Sequence, residues 1–162
     1  MIAFLPDATW AILFLIGFYL KSIWGFVLIT IIAIAIDFTQ IAARGGHQDF
    51  FLAPSYLFII PAYFVLWLAG RYLSNHYSEN FKGLLFFCLS VFISVVFCHL
   101  IASGGYYWMS LNVIELSTKE FISRTFDYLP LALKITFSYL SFTAIIHLIF
   151  TRIFSSHKQP LI

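Results

Sequence analysis

The residues of this chain best suited to chemistry are polar groups set inside apolar runs: Asp37, Gln40, His99, Lys134 and His147. An ionisable side chain at membrane depth costs about 3 kcal/mol or more, so each is expected to face a partner or a cavity. Asp37 lies near one end of its run and Lys134 near the matching end of another, which would let them pair across a bundle. For His99 and His147 hydrogen-bonded packing is the simpler reading than a proton path. A second group occupies the loop Gly45-Gly46-His47-Gln48-Asp49-Phe50-Phe51-Leu52-Ala53-Pro54-Ser55-Tyr56, where flexible glycines precede a proline able to open a helix. Its imidazole, carboxylate and phenol suit a ligand cap, although an ordinary loop with a solvated His and Asp is the simpler reading. The third group is Ser103-Gly104-Gly105-Tyr106-Tyr107-Trp108. Interfacial belts collect such amphipathic rings. Three consecutive rings cannot all face lipid, so at least one is expected to turn into the bundle.

Other chemistry has no foothold. The sequence contains no phosphate-binding glycine-lysine loop, no His-Glu-x-x-His pair and no nucleophile elbow, so no catalytic residue is assigned, no enzyme is expected and no ATP hydrolysis is foreseen. Cys88 and Cys98 stand ten residues apart in one run, on different faces of a helix. They read as small buried hydrophobes, not as a disulfide or a metal pair. No intrinsic cofactor is implied. The formal charge of +2 is scattered over span ends and offers no basic face for nucleic acid.

The elements that must position these groups are transmembrane helices. With 62% hydrophobic and 10% charged residues, and a mean hydropathy of +0.95, the chain lies far from the roughly 25% charged residues of a soluble domain. Its 162 residues form one integral membrane domain, 1–162, with room for about five or six spans of ~20 residues. The expected fold is all-α, a polytopic membrane helical bundle with spans at 8–20, 23–43, 53–74, 83–104 and 129–153. Lys21-Ser22 separates the first two as a tight hairpin, with a single tilted helix from Thr9 to Ala43 as the alternative. Pro61 is expected to kink its span. The stretch from Gly104 to Tyr128, with Glu115, Lys119, Glu120, Arg124 and Asp127, reads as an interfacial loop with an amphipathic turn; a partly inserted helix through Tyr106 to Leu116 is the other reading. Met1 to Trp10 lacks a basic leader region, so the first apolar run is expected to stay in the mature protein.

Lys21, Arg71, Lys82, Arg152 and Lys158 fall on one side of this arrangement. Arg44, Lys119 and Arg124 fall on the other, with Asp7, Asp49, Glu115, Glu120 and Asp127. The positive-inside rule then predicts an outer N-terminus and a cytoplasmic C-terminus. Three unusual segments share the outer face: Leu5-Pro6-Asp7, the Arg44 to Tyr56 loop, and Ser103 to Asn112.

Two stretches carry a family resemblance. One is Phe97-Cys98-His99-Leu100-Ile101-Ala102-Ser103-Gly104-Gly105-Tyr106-Tyr107-Trp108. The other runs from Leu5-Pro6-Asp7-Ala8-Thr9-Trp10 through Phe14 to Leu20, then Asp49 to Arg71 with Pro54-Ser55-Tyr56, Pro61-Ala62-Tyr63 and Leu66-Trp67-Leu68-Ala69-Gly70-Arg71. Together they resemble the BtuM-type solitary S-components of the energy-coupling factor vitamin transporter superfamily, linked to cobalamin uptake. The resemblance implies an S-component-like bundle in a bacterial inner membrane, a vitamin as transported ligand, and coupling to a transmembrane protein with ATPase subunits. It implies ligand contacts at His47, Asp49, Phe51, Pro54, Tyr56, Tyr106, Tyr107, Trp108 and Asn112. Phe51 stands where the family carries a cobalt-ligating cysteine, leaving His47 as the imidazole able to take that role. The family has six helices, and the lack of one before Leu5 reads either as a five-span variant or as a start site placed too late. A structural or assembly subunit, packing against partners through small residues such as Gly17 and Gly25, is the competing class.

Overall fold

A helix that crosses a bilayer closes its backbone hydrogen bonds within itself, so lateral packing decides the architecture. The computed structural model describes residues 8–43, 54–78, 80–109 and 117–156. Among the described residues five α-helices follow one another: α1 (Thr9–Tyr19), α2 (Ile23–Ala43), α3 (Ile59–His76), α4 (Phe81–Met109) and α5 (Thr118–Ser156), with a 3-10 turn at Pro54–Phe58 leading into α3. Four segments are long and apolar enough to span a membrane: Ile23–Gln40, Ser55–His76, Phe81–Met109 and Thr118–His147. The fifth helix, α1, has 11 residues, or about 16 Å at 1.5 Å per residue, half of a hydrocarbon core.

The hairpin reading of the first two helices holds. Leu20 and Lys21 both donate their backbone N–H to the Ile16 carbonyl at 3.0 Å, and Lys21 ends the helix in the left-handed region at φ 53°. A lysine there costs roughly 1–2 kcal/mol relative to ordinary backbone. Its ammonium donates to Asn75 Oδ1 at 3.0 Å, which ties the turn to the end of α3. The 77–80 connection lies at the same end and is fixed by Asn80. Its side chain accepts the Gly83 N–H at 2.8 Å and the Ser78 hydroxyl at 3.0 Å, an N-cap for α4.

The core is the crossing of α1 on α3. A Cβ on Gly17 would collide with the Trp67 carbonyl oxygen, and one on Gly70 with the Phe14 carbonyl oxygen. Each glycine thus receives the other helix's backbone, and only a residue without a side chain allows it. Leu13, Phe14, Ala62, Leu66 and Leu73 are buried around this crossing. Phe14 and Phe18 meet Phe87 of α4 edge-on at 5.6 and 6.1 Å. Gly25 lies against the Ile16 side chain. The two glycines expected to face partner proteins therefore pack within the chain.

Around this triple, α2 is held to α3 by Phe26, whose ring lies 5.6 Å from Phe64 and 5.9 Å from Trp67. Helix α5 rests on α4 and on α1, where Tyr19 and His147 bring their rings to 6.0 Å. The chain therefore alternates direction. The 20–22 and 77–80 turns mark one end of the bundle, called here the turn end, and the start of α3, the end of α4 and the start of α5 mark the other.

Three sequence expectations change. Helix α4 runs through Gly104-Gly105 to Met109 instead of stopping at 104, and α5 begins at Thr118 instead of 129. Hydropathy missed both extensions because they are polar, and α5 continues through Pro130. Local bonds support its first turns: Arg124 pairs with Glu120 at 2.6 Å, one turn apart. The interfacial loop expected from 104 to 128 is thus helical on both flanks, and its middle, 110–116, lies outside the described residues. Pro61 falls in the first turn of α3, where a missing N–H removes no helical bond; the backbone instead changes from 3-10 to α at Phe58.

Replacing Gly70 by Val is expected to destabilise the bundle by about 2–3 kcal/mol or more. Thermal unfolding in detergent should show a midpoint roughly 5–10 °C lower. Trp24→Ala, at an exposed position of α2, serves as the control that stays near the parent value, and equal effects from the two variants would contradict the crossing.

Candidate functional site

The end opposite the turns gathers the aromatic residues singled out in the sequence. Phe58 closes the 3-10 turn and lays its Cβ and ring on Gly105, where any side chain on the glycine would overlap it. Gly104 has open space, its nearest neighbour being Phe121 at 3.8 Å. Of the two glycines, Gly105 is therefore the one the packing requires, and it joins the start of α3 to the end of α4. On the far side of that turn the Tyr56 hydroxyl donates to Asp37 Oδ2 of α2 at 3.2 Å. Asp37 thus has a phenol from the neighbouring helix as one partner, while Lys134 lies on the exposed face of α5.

The three consecutive aromatics divide as their 100° spacing demands. Tyr107 is 3% exposed, against 41% for Tyr106 and 47% for Trp108. The inward ring has a structural partner. Tyr107 donates its hydroxyl to the Ser117 carbonyl at 2.9 Å and accepts the Ser117 N–H at 2.8 Å. Ser117 precedes α5, and its carbonyl also receives the Phe121 N–H at 3.0 Å. One phenol thereby satisfies both backbone groups at the start of α5 and staples it to α4. The Trp108 ring packs obliquely on Phe121 at 6.4 Å and leaves about half of its surface open.

Further along the bundle, α1, α4 and α5 border an open pocket of about 260 Å³ lined by Trp10, His99, Tyr128, Leu131, Ala132, Ile135 and Thr136. His99 is buried, with Nδ1 3.5 Å from the Ser103 hydroxyl. The Trp10 ring lies 6.3 Å away. The Thr125 backbone approaches the imidazole, yet Nε2 has no hydrogen bond of good geometry among the described residues. Sequence reading missed Tyr128 and Thr136 as neighbours of His99 because the first was assigned to a loop. The signal was present in the spacing: 128, 131, 132, 135 and 136 fall on one helical face.

A second groove, of about 410 Å³, runs along α5 itself past Leu131, Lys134, Ser138 and Phe142. Neither Cys88 nor Cys98 forms a disulfide among the described residues; Cys98 is buried and Cys88 half-buried. His147 keeps to the turn end beside Tyr19. Among the described residues no group of three or more His, Cys, Asp or Glu is placed to hold a metal ion.

Of the expected ligand contacts, Tyr56, Tyr106, Tyr107 and Trp108 lie at this one end of the bundle, and Pro54 opens the turn that leads to it. His47, Asp49, Phe51 and Asn112 lie outside the described residues. No protein-family model matches the chain, and no curated protein matches it.

Replacing Tyr107 by Phe removes both bonds to Ser117 and is expected to cost about 1–2 kcal/mol. Hydrogen exchange should quicken at the backbone amides of residues 117–121 in that variant and remain unchanged in Trp108→Phe. Equal protection in both would show that the phenol does not hold α5.

Proposed function

We propose that the chain is a membrane substrate-binding component for uptake of cobalamin or a related vitamin, with its ligand seated at the aromatic end of the bundle. The observation that carries this reading is the contact of Phe58 with Gly105. It brings together the two stretches, 54–71 and 97–108, whose residues resemble BtuM-type S-components. Neither described cavity encloses a corrinoid whole, so the open end offers the room, with Tyr106 and Trp108 as exposed rings for apolar burial. The proposed contacts are Tyr56, Tyr106 and Trp108, joined by Asp49, Phe51, Pro54 and Asn112, with His47 taking the cobalt in place of the family's thiolate. Tyr107 acts from behind, by fixing the corner that carries its two neighbours. No catalytic step belongs to this reading.

In this account the protein sits in a bacterial inner membrane with the aromatic end outward. The basic residues Lys21, Arg71 and Lys82 near the turn end support that direction. Energy for uptake comes from a coupling membrane protein with ATPase subunits, since the chain carries no nucleotide motif of its own. A purely structural subunit has less support, because Gly17 and Gly25 are taken up in packing within the chain.

Titrating the purified protein in detergent with cobalamin and with cobinamide, and following tryptophan fluorescence, tests the proposal. Saturable quenching in the micromolar range is expected, about tenfold weaker in Trp108→Ala, a change of ~1.4 kcal/mol. His47→Ala should alter the visible spectrum of the bound corrinoid. Absence of binding at tens of micromolar would remove the vitamin reading, and indifference to Trp108→Ala would move the site away from this end.

A further inference from the structure

A charge inside a bilayer has to be neutralised at its own depth. Lys134 is exposed on α5 and lies within the candidate span Thr118–His147, about 20 Å along the helix from His147 and about 25 Å from Ser117 at a rise of 1.5 Å per residue. His147 marks the turn end through its contact with Tyr19, and Ser117, stapled to Tyr107, marks the other. A lysine stem reaches only a few ångströms toward water, so an ammonium this deep needs an anion beside it. Among the described residues its ammonium makes no hydrogen bond or ion pair. Ser138 and Ser141 follow on the same helical face, and both are exposed. The Ser138 hydroxyl donates back to the Lys134 carbonyl at 2.7 Å, whereas that of Ser141 has no partner among the described residues.

We propose that this face of α5 docks on a transmembrane helix of a different protein, one that carries an Asp or Glu at mid-bilayer depth opposite Lys134. Charge and depth together select that partner. Lipid cannot supply the anion, because headgroup phosphates and fatty-acid carboxylates stay at the interface, about 15 Å from the bilayer centre. A helix, by contrast, holds a carboxylate at fixed depth through the rest of its span. A second copy of the chain cannot supply it either. Asp37, the acid at a matching depth among the described residues, lies on the inward face of α2 with the buried Phe26, Thr30 and Ala33 and accepts the Tyr56 hydroxyl. Two copies meeting α5 to α5 about a two-fold axis would set ammonium against ammonium. The serines fit a helix as occupant: small side chains let a neighbouring backbone come close, and a partner's polar groups can satisfy the Ser141 hydroxyl, which lipid tails leave bare. The inference needs only that α5 spans the membrane and is independent of the vitamin reading.

Energy transfer in phosphatidylcholine vesicles, from labelled full-length protein to a labelled Leu-Ala-rich transmembrane peptide with one central Glu, tests it. Half-saturation is expected at about tenfold lower peptide density than for the same peptide with Gln, and Lys134→Met should abolish that difference. Moving the Glu two turns toward the peptide's end should lose the gain, because depth selects the partner. The thermal midpoint of Lys134→Met should match or exceed that of the parent, which separates lost docking from lost folding. Equal binding of the Glu and Gln peptides, or a preference for Glu that survives Lys134→Met, would overturn the proposal. So would displacement of the Glu peptide by oleate, which assigns the face to a lipid carboxylate, or energy transfer between two labelled copies that depends on Lys134, which assigns it to a second copy.

Discussion

Everything in this bundle is arranged around the place where two backbones touch. At the Gly17 and Gly70 crossing, α1 and α3 approach until the carbonyls of Trp67 and Phe14 occupy the sites of the missing side chains. In a bilayer there is no hydrophobic gain from bringing apolar helices together, so close van der Waals contact must supply the attraction. The crossing also explains how an 11-residue helix can be a core element. Because α1 is short, its start ends beside His99, and the space past Trp10 is left to the pocket between α4 and α5.

From that crossing the rest of the geometry follows by chain direction. The Lys21 and Asn80 turns collect at one end, and the Tyr56 turn and the Tyr106 to Trp108 corner collect at the other. There the packing uses the same device again, with Gly105 receiving Phe58 as Gly17 receives α3. The phenol of Tyr107 then fixes α5, so the exposed rings of Tyr106 and Trp108 stand on a braced corner and not on a free loop. Rigid support of this kind is what a binding surface needs, since rings held in place lose little entropy on contact.

Much of this was legible in the residues, and the failures have physical causes. The apolar runs located the five helices among the described residues, four of them long enough to span because a crossing needs a minimum length of hydrocarbon-compatible side chains. The Lys21-Ser22 break predicted the hairpin although a lysine is a poor left-handed residue. The inward turn of one aromatic from Tyr106 to Trp108 followed from helical spacing alone. Hydropathy lost the end of α4, where Gly105 packs on Phe58 and the buried Tyr107 bonds to Ser117, and the start of α5, where an exposed ion pair joins Glu120 to Arg124. It also could not tell that Gly17 faces its own chain, since a small residue marks close approach without saying to what. The expected pairing of Asp37 with Lys134 placed two groups at a common depth; Tyr56, arriving through the 3-10 turn, is the near partner that a linear pattern cannot show.

The central functional claim is that the Tyr56 turn and the Tyr106 to Trp108 corner open to one aqueous compartment, opposite the Lys21 and Asn80 turns. Single cysteines placed at Leu57, Trp108 and Asn80, in a background with Cys88→Ser and Cys98→Ala, can be exposed in intact cells to a membrane-impermeant maleimide. The account predicts labelling of the first two from outside and of the third only after the cells are opened. Labelling of Leu57 and Trp108 positions from opposite sides would contradict it.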